Sequence, residues 1–579
     1  MSKTALNWKI AGPAGEGIKS TGLIFSKTCL RFGLATFDYT EYPSLIRGGH
    51  NTYQVSASMD KMHAQLYAVD ILVALTENAI REHQAELTTE SVVIYDAADS
   101  KCDISKYKIP CPAYDIPLVE LAKGVGADRL MYNNVALGVS VYLLGLDISL
   151  LYEVITDTFA SKGESVITLN KNAAQAGFTW AAEHLKPLAT IAITKQPQRD
   201  TVTVCGNESL ALGAIAGGMK AYIAYPMTPA STLLHVLAEW SEKSDFFVKH
   251  AEDEIGVINM ALGMSFAGVR SACGTSGGGF CYMTEAVGFS GVAELPLVIY
   301  EVMRPGPALG MPTWTAQGDL QFAIWASQDE FPRIVIAPGD VFEAFELSRQ
   351  AFDWADKFQI PVIVLSDKYL SESNQSTHYP NTHFKTDLLS RQPNPTVDES
   401  GFHNRYAITE NGITPRPVPG QKDGFYLANT YEHDTHGIGS ETAKDRVEQN
   451  SKRMKKMAAI KTSTPIQFYD GSDNPEITFI SFGSTLGPIR QALTVLRSQG
   501  IDAAAYNLSW LWPFPVEQTV SVIQKAKNAV VVEGNSLSQL AKLIRQETGI
   551  DVYHKRTKYD GRPFYPEEII QYAHEILHR

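Results

Sequence analysis

Cysteine, long apolar runs and positive charge are all scarce in this sequence, and each scarcity removes a class of protein. Only six of the 579 residues are cysteine (Cys29, Cys102, Cys111, Cys205, Cys273, Cys281), and no two form a CxxC pair. A disulfide framework needs such an economy of spacing and an oxidising compartment, and iron-sulfur or structural zinc sites need thiolates at close, repeated intervals. The chain is therefore expected to hold no metal of its own. The longest apolar stretches, residues 135–146 and 256–269, are interrupted or bounded by Gly, Asn or Asp and are too short to span a bilayer. The opening MSKTALNWKIAGPAGEG lacks the apolar core of a signal peptide. A cytoplasmic protein with no membrane contact is the expectation. The net charge of −13, without a Lys/Arg block interleaved with aromatics, argues against nucleic acid.

What is present is enough for several cores: 44% of the chain is hydrophobic, and its length suggests three or four domains. Residues 6–11 read as a strand, Gly12-Pro-Ala-Gly15-Glu-Gly17 as a loop and residues 18–32 as a helix, the opening of a βαβ unit. Strand and helix patterns alternate to a polar linker at residues 195–200, and again from residue 201 to about 367. Residues 368–464 are rich in Ser, Asn, Thr, His and Pro and read as an irregular connector, ending in a charged helix at 441–460. Residues 477–579 alternate once more. The expected fold class is α/β, with several open parallel-sheet domains.

The loop Gly12, Gly15, Gly17 sits where backbone N–H groups and a helix dipole favour an anion, though it lacks both GxGxxG and the Lys and hydroxyl of a P-loop. A tight turn packing helix on sheet explains it equally well. Tyr42-Pro-Ser-Leu-Ile-Arg47-Gly-Gly-His50 places a cation beside two glycines. Tyr225-Pro-Met-Thr228-Pro-Ala-Ser231 follows a strand and precedes a helix, on the side of an open sheet where ligands bind; Thr228 or Ser231 serves either a substrate carboxylate or a helix cap. Glu252-Asp253-Glu254 supplies three carboxylates at a helix start, more than dipole stabilisation requires. Thr275-Ser-Gly277-Gly278-Gly279 either packs tightly or clears room for a planar ligand, and Arg304, in the proline-rich run ending at Thr313, suits bidentate carboxylate recognition. His433 and His436 have no third metal ligand beside them and read as hydrogen-bonded loop histidines.

In this order, YPMTPAS, EDEI, TSGGGF, Glu294-Leu-Pro, residues 304–313 and Asp319-Leu resemble the pyrimidine-side thiamine diphosphate domain of 2-oxoacid:ferredoxin oxidoreductases. GPAGEGIKSTG and YPSLIRGGHNT are similar to that family's gamma domain, and Ser481-Phe-Gly-Ser484-Thr, Leu511-Trp-Pro-Phe-Pro515, Glu533-Gly-Asn535 and Tyr559-Asp-Gly-Arg562-Pro to its transketolase C-terminal-like domain. The resemblance implies a gamma domain at 1–195, a pyrimidine-side domain at 200–367, the connector at 368–464 and the transketolase-like domain at 465–579. The fused gamma-alpha order, with EHDTHG in the connector, resembles the large subunit of 2-oxoglutarate enzymes. These convert 2-oxoglutarate, CoA and oxidised ferredoxin to succinyl-CoA, CO2 and reduced ferredoxin, or the reverse.

The resemblance further implies that Glu254, or failing it Glu252, binds N1′ of thiamine diphosphate, with Gly277, Gly278 and Gly279 beside the cofactor. Thr228, Arg304 and Thr313 would hold the substrate, and Gly12, Gly15, Gly17 and Arg47 would meet CoA. The Gly-Asp-Gly loop for Mg2+ and diphosphate, and the cysteines for a [4Fe-4S] cluster, are missing. The resemblance places both on a beta subunit, in a heterodimer or an (alpha-beta)2 assembly served by ferredoxin. Ala308-Leu309 and Ala316 depart from the family's Ser-Thr and Glu, which leaves pyruvate, a branched-chain or another 2-oxoacid open as substrate, and a catalytically silent scaffold as a reading of another class.

Overall fold

The computed structural model describes residues 3–45, 48–189, 191–197, 201–379 and 394–578. The chain forms two compact units, one of residues 1–204 with 373–379 and 565–572, the other of residues 205–372 with 380–564 and 573–579. Among the described residues no helix is long and apolar enough to cross a membrane.

The first unit is built on an eight-stranded sheet that is parallel in one half and antiparallel in the other. Strand Ala5–Ala14 lies at the change of sense, parallel to Val69–Ala74 and antiparallel to Gly48–Ser58. The all-parallel domain expected from alternation is thus only half realised, because strands Ala35–Glu41 and Gly48–Ser58 pair antiparallel. The first residues of the expected connector are not irregular: after helix Lys368–Glu372, strand Asn374–Thr377 pairs with Ala35–Glu41 in this sheet.

The second unit holds a seven-stranded and a five-stranded sheet. The centre of the larger one is Leu297–Met303 between Ser271–Thr275 and Pro361–Asp367, all parallel and buried along their whole length. Such continuous apolar strands need helices on both faces. Its edge is closed by Trp510–Trp512, lent antiparallel to Ile334–Ile336 from the C-terminal segment. The five-stranded sheet runs Phe468–Asp470, Ala503–Asn507, Ile477–Ser481, Ala529–Glu533, His554–Thr557.

Helix Ala443–Thr462 is the charged helix expected at residues 441–460. Its charged residues are not all solvated: Lys452 and Lys456 are fully buried, each 2.5 Å from a carboxylate oxygen of Glu294, whose side chain is likewise fully buried. Arg405 adds a third cation, donating to the Glu294 backbone carbonyl and to Gln359 Oε1, both at 3.0 Å. Burial pushes the Lys452 ammonium down to about 7, opposed by the Glu294 charge, and the three cations hold Glu294 ionised far below the usual carboxylate range against its own burial. This cluster fastens residues 403–460 to the larger sheet.

Candidate functional site

Three neighbouring strands, Ala221–Ala224, Ser271–Thr275 and Leu297–Met303, end on one side of the larger sheet, and the site is built from the segments that leave their carboxyl ends. The first strand leads into the loop bearing Thr228, the second into helix Gly277–Val292, which opens with three glycines, and the third into Arg304. Across from them helix Glu254–Phe266 begins.

The structure separates the three carboxylates of the acidic run. Asp253 is the N-cap, its carboxylate accepting from Gly256 N at 2.7 Å, and Glu252 points to solvent. Glu254 alone is buried, at 6% exposure, and its Oε1 has no hydrogen-bond partner. A buried carboxylate oxygen left bare costs about 1–3 kcal/mol or more, so this atom is set to accept from a ligand N–H. Gly279 makes room for it: a Cβ there would stand 2.5 Å from Glu254 Oε1 and 2.1 Å from Thr275 Oγ1. Gly277 does the same for Asp319, whose Oδ2 would lie 2.6 Å from a Cβ, whereas Gly278 is crowded by nothing nearer than Ala308 O at 3.6 Å.

Arg304, 7% exposed, donates through Nη1 to Thr228 O at 2.7 Å, so two expected substrate groups meet, though the contact uses the Thr228 backbone. Among the described residues no carboxylate forms an ion pair with Arg304, and its Nε is bare. Thr313 is 4% exposed with Oγ1 unpaired, and Ser276 Oγ is likewise bare. A donor fork, two hydroxyls and one carboxylate oxygen, all short of partners around a cleared glycine turn, fit a small polar acid beside a heteroaromatic cofactor. Ala308 and Leu309 lie on the exposed outer part of the loop, away from these buried groups.

Two further carboxyls have no role in the sequence reading: Glu301, alone in an apolar strand, and Asp319, present there only within the Asp319-Leu motif. Glu301, opposite Thr275 in the sheet, is fully buried, and neither of its carboxyl oxygens has a hydrogen-bond partner among the described residues. Burial first, then the Asp319 charge, holds Glu301 protonated well above the usual range. Burial also pushes Asp319 up to about 6, opposed by the neighbouring Glu301 carboxyl and the charge of Arg304. One proton and one negative charge shared by the pair is the state this geometry favours.

In the first unit, Gly17 is the N-cap of helix Ile18–Arg31 at φ 73° with no side-chain cap, Gly15 has φ 95°, and Gly12 lies within strand Ala5–Ala14. The register sets Ala14 opposite Gly48, so the two glycine motifs are neighbours. Arg47 lies outside the described residues. Beside this mouth His50 Nε2 is 2.8 Å from His83 Nε2, and His83 Nδ1 is 2.9 Å from Glu86. His433 and His436 bond to Val292 O and Asp398, and among the described residues no group of three His, Cys, Asp or Glu side chains could hold a metal.

An α/β domain that gathers buried, unpartnered polar groups at the carboxyl ends of parallel strands is the class that this fold and site define. Residues 212–468 match the family model described as the thiamine diphosphate-binding domain of pyruvate flavodoxin/ferredoxin oxidoreductases. Residues 7–180 match that of pyruvate ferredoxin/flavodoxin oxidoreductase, and 475–569 that of core domain II of pyruvate:ferredoxin oxidoreductase. The 2-oxoacid:ferredoxin oxidoreductase subunit alpha of Sulfolobus sp is 30% identical, over 97% of this chain and 96% of its own. The 2-oxoglutarate oxidoreductase subunit KorA of Mycobacterium tuberculosis is 27% identical over 98% and 91%. The solved 2-oxoglutarate:ferredoxin oxidoreductase of Magnetococcus marinus, with 2-oxoglutarate, coenzyme A and succinyl-CoA bound, superposes with a TM-score of 0.91 at 32% identity, covering 99% of each chain. The chain belongs to the 2-oxoacid:ferredoxin oxidoreductase family of enzymes and is similar throughout to its alpha subunits.

Proposed function

We propose that this chain is the large subunit of a CoA-acylating 2-oxoglutarate:ferredoxin oxidoreductase, forming succinyl-CoA, CO2 and reduced ferredoxin. The observation that carries the reading is the buried, unpartnered Oε1 of Glu254 facing the cleared Gly279 turn. The whole-length likeness to a structure holding 2-oxoglutarate and coenzyme A supports the choice of substrate.

Thiamine diphosphate, when bound, supplies the carbanion that attacks the keto carbon and takes up the electrons left by decarboxylation. Glu254 would hydrogen-bond N1′ of the aminopyrimidine and so favour the imino tautomer, whose exocyclic nitrogen then serves as the base. Arg304 and Thr313 bind the carboxylate of the 2-oxoacid, and the Thr228 carbonyl fixes the guanidinium on one side. Gly12, Gly15, Gly17 and Arg47 are proposed to meet CoA.

The Gly-Asp-Gly loop and clustered cysteines absent from this chain are assigned to a beta subunit carrying Mg2+, the diphosphate end of the cofactor and a [4Fe-4S] cluster, in an (alpha-beta)2 assembly. Around the site Ile255, Met260, Tyr282 and Leu309 are 52%, 45%, 63% and 70% exposed, large apolar groups in keeping with a covering protein partner. The test is kcat/KM for 2-oxoglutarate, pyruvate and a branched-chain 2-oxoacid with the purified two-subunit complex and CoA. A preference for 2-oxoglutarate of tenfold or more is expected; equal or reversed preference contradicts the substrate, and no turnover with any of them contradicts the activity.

A further inference from the structure

The loop carrying Thr313 is exposed along residues 306–311 and closes on itself through Met311 N, which donates to Pro305 O at 3.0 Å. Its downstream end is held from outside. Residues 315–319 run as a strap between this loop and helix Leu320–Trp325, and the strap and the helix start are stitched to the C-terminal lobe at Thr315, Gln317, Gly318 and Gln321. Thr315 N donates to Gly561 O at 3.0 Å, Gln539 Nε2 donates to Gly318 O at 2.6 Å, and Gln321 N donates to Gln539 Oε1 at 3.0 Å.

Gln317 is the centre of this stitching. It is 3% exposed, and every polar group it owns is used. Its Nε2 donates to Phe482 O at 2.9 Å and to Asp367 Oδ2 at 3.4 Å; its Oε1 accepts from Gly534 N at 2.8 Å and from Thr485 Oγ1 at 3.0 Å. Its backbone N–H donates to Gly534 O at 2.7 Å, and its carbonyl accepts from Asn535 Nδ2 at 3.1 Å. The SFGST and EGN motifs thus converge on one side chain of the thiamine domain. Two residues on, Asp319 rests against Gly277 at the head of the glycine turn. Substrate loop and cofactor turn are therefore both referred to the C-terminal lobe through the same short segment.

We propose that Gln317 is a positioning residue for the 2-oxoacid, the point through which the C-terminal lobe sets the loop bearing Thr313 and its distance from Arg304. The proposal rests on the reading that Arg304 and Thr313 receive the substrate carboxylate. Losing the stitch loosens contacts made equally in ground and transition states, so KM rises more than kcat falls. One weakened hydrogen bond to a charged group is worth about tenfold in affinity.

The experiment uses the complete two-subunit enzyme and measures kcat and both KM values. Gln317→Leu is expected to raise the 2-oxoacid KM about tenfold, with kcat within threefold and the CoA KM unchanged. Gln539→Leu, which removes the neighbouring stitch and leaves Gln317 in place, should do the same to a smaller degree and decides the matter if the first variant fails to fold. Gln317→Glu keeps the acceptor oxygen but turns a second oxygen toward Phe482 O and Asp367, so its KM defect should shrink as pH falls and the introduced carboxyl gains a proton. An unchanged 2-oxoacid KM, or kcat falling in step with CoA affinity, overturns the proposal. Arg304→Lys tells the two failures apart: if it raises the 2-oxoacid KM while the strap variants do not, the strap is at fault; if it too has no effect, the carboxylate site is.

Discussion

Adding one methyl group at Gly279 should disable the site without disturbing the fold. An alanine Cβ there would stand 2.1 Å from Thr275 Oγ1, 2.5 Å from Glu254 Oε1 and 2.8 Å from Glu254 Cγ. Ordinary carbon-oxygen contact is no closer than about 3.2 Å, so the carboxylate must retreat by roughly 0.7 Å and the Thr275 hydroxyl by about 1 Å. Misplacement on that scale costs on the order of 100-fold in rate, about 2.7 kcal/mol of barrier. Helix propensity works the other way, since alanine in a helix is favoured over glycine by about 1 kcal/mol. Gly278→Ala supplies the contrast, because the nearest protein atom is Ala308 O at 3.6 Å, and any loss there would report a bound ligand. The assay is 2-oxoacid-dependent viologen reduction by the reconstituted complex, with thermal unfolding followed in parallel. Gly279→Ala within threefold of wild type, at unchanged stability, would refute the claim that this glycine holds Glu254 in place.

Other expectations concern stability. Glu294→Gln leaves Lys452 and Lys456 buried beside a neutral amide and should cost about 3–5 kcal/mol in urea unfolding, whereas replacing all three by apolar residues of similar volume should recover most of it. Equal stability of Glu294→Gln and wild type would remove the clamp. Because the folded pKa of Asp319 is raised to about 6, its stabilising contribution is complete below the unfolded value near 3.8 and is lost as pH rises through 6. Asp319→Asn should therefore gain relative to wild type by about 2–3 kcal/mol between pH 4 and 7, and a pH-independent difference would contradict the shared-proton pair.

The sequence showed the site's local parts and concealed its long-range ones. Strand-turn-helix patterns placed Thr228, the Gly277 to Gly279 turn and Arg304 at strand ends, because apolar strands followed by glycine or proline are written locally. Choosing among Glu252, Asp253 and Glu254 required knowing which residue opens the helix, a matter of one position. Glu301 looked like one polar residue in an apolar strand, yet the carboxyl that couples to it lies eighteen positions on. Gln317 looked unremarkable because its six bonds reach residues 50 to 218 positions away. The connector's helix read only as charged for the same reason: the anion that accounts for Lys452 lies 158 residues earlier. The antiparallel half of the first sheet was missed because its strands, Ala35–Glu41 and Gly48–Ser58, alternate apolar with polar residues and carry no apolar run to mark them.

The central claim is that the Glu254 carboxylate activates a bound aminopyrimidine. Its most direct test is Glu254→Gln in the reconstituted two-subunit complex, assayed for 2-oxoglutarate-dependent viologen reduction beside Glu252→Gln. The account predicts a loss of about 10²- to 10⁴-fold for the first and little change for the second. Activity of Glu254→Gln within threefold of wild type would contradict it.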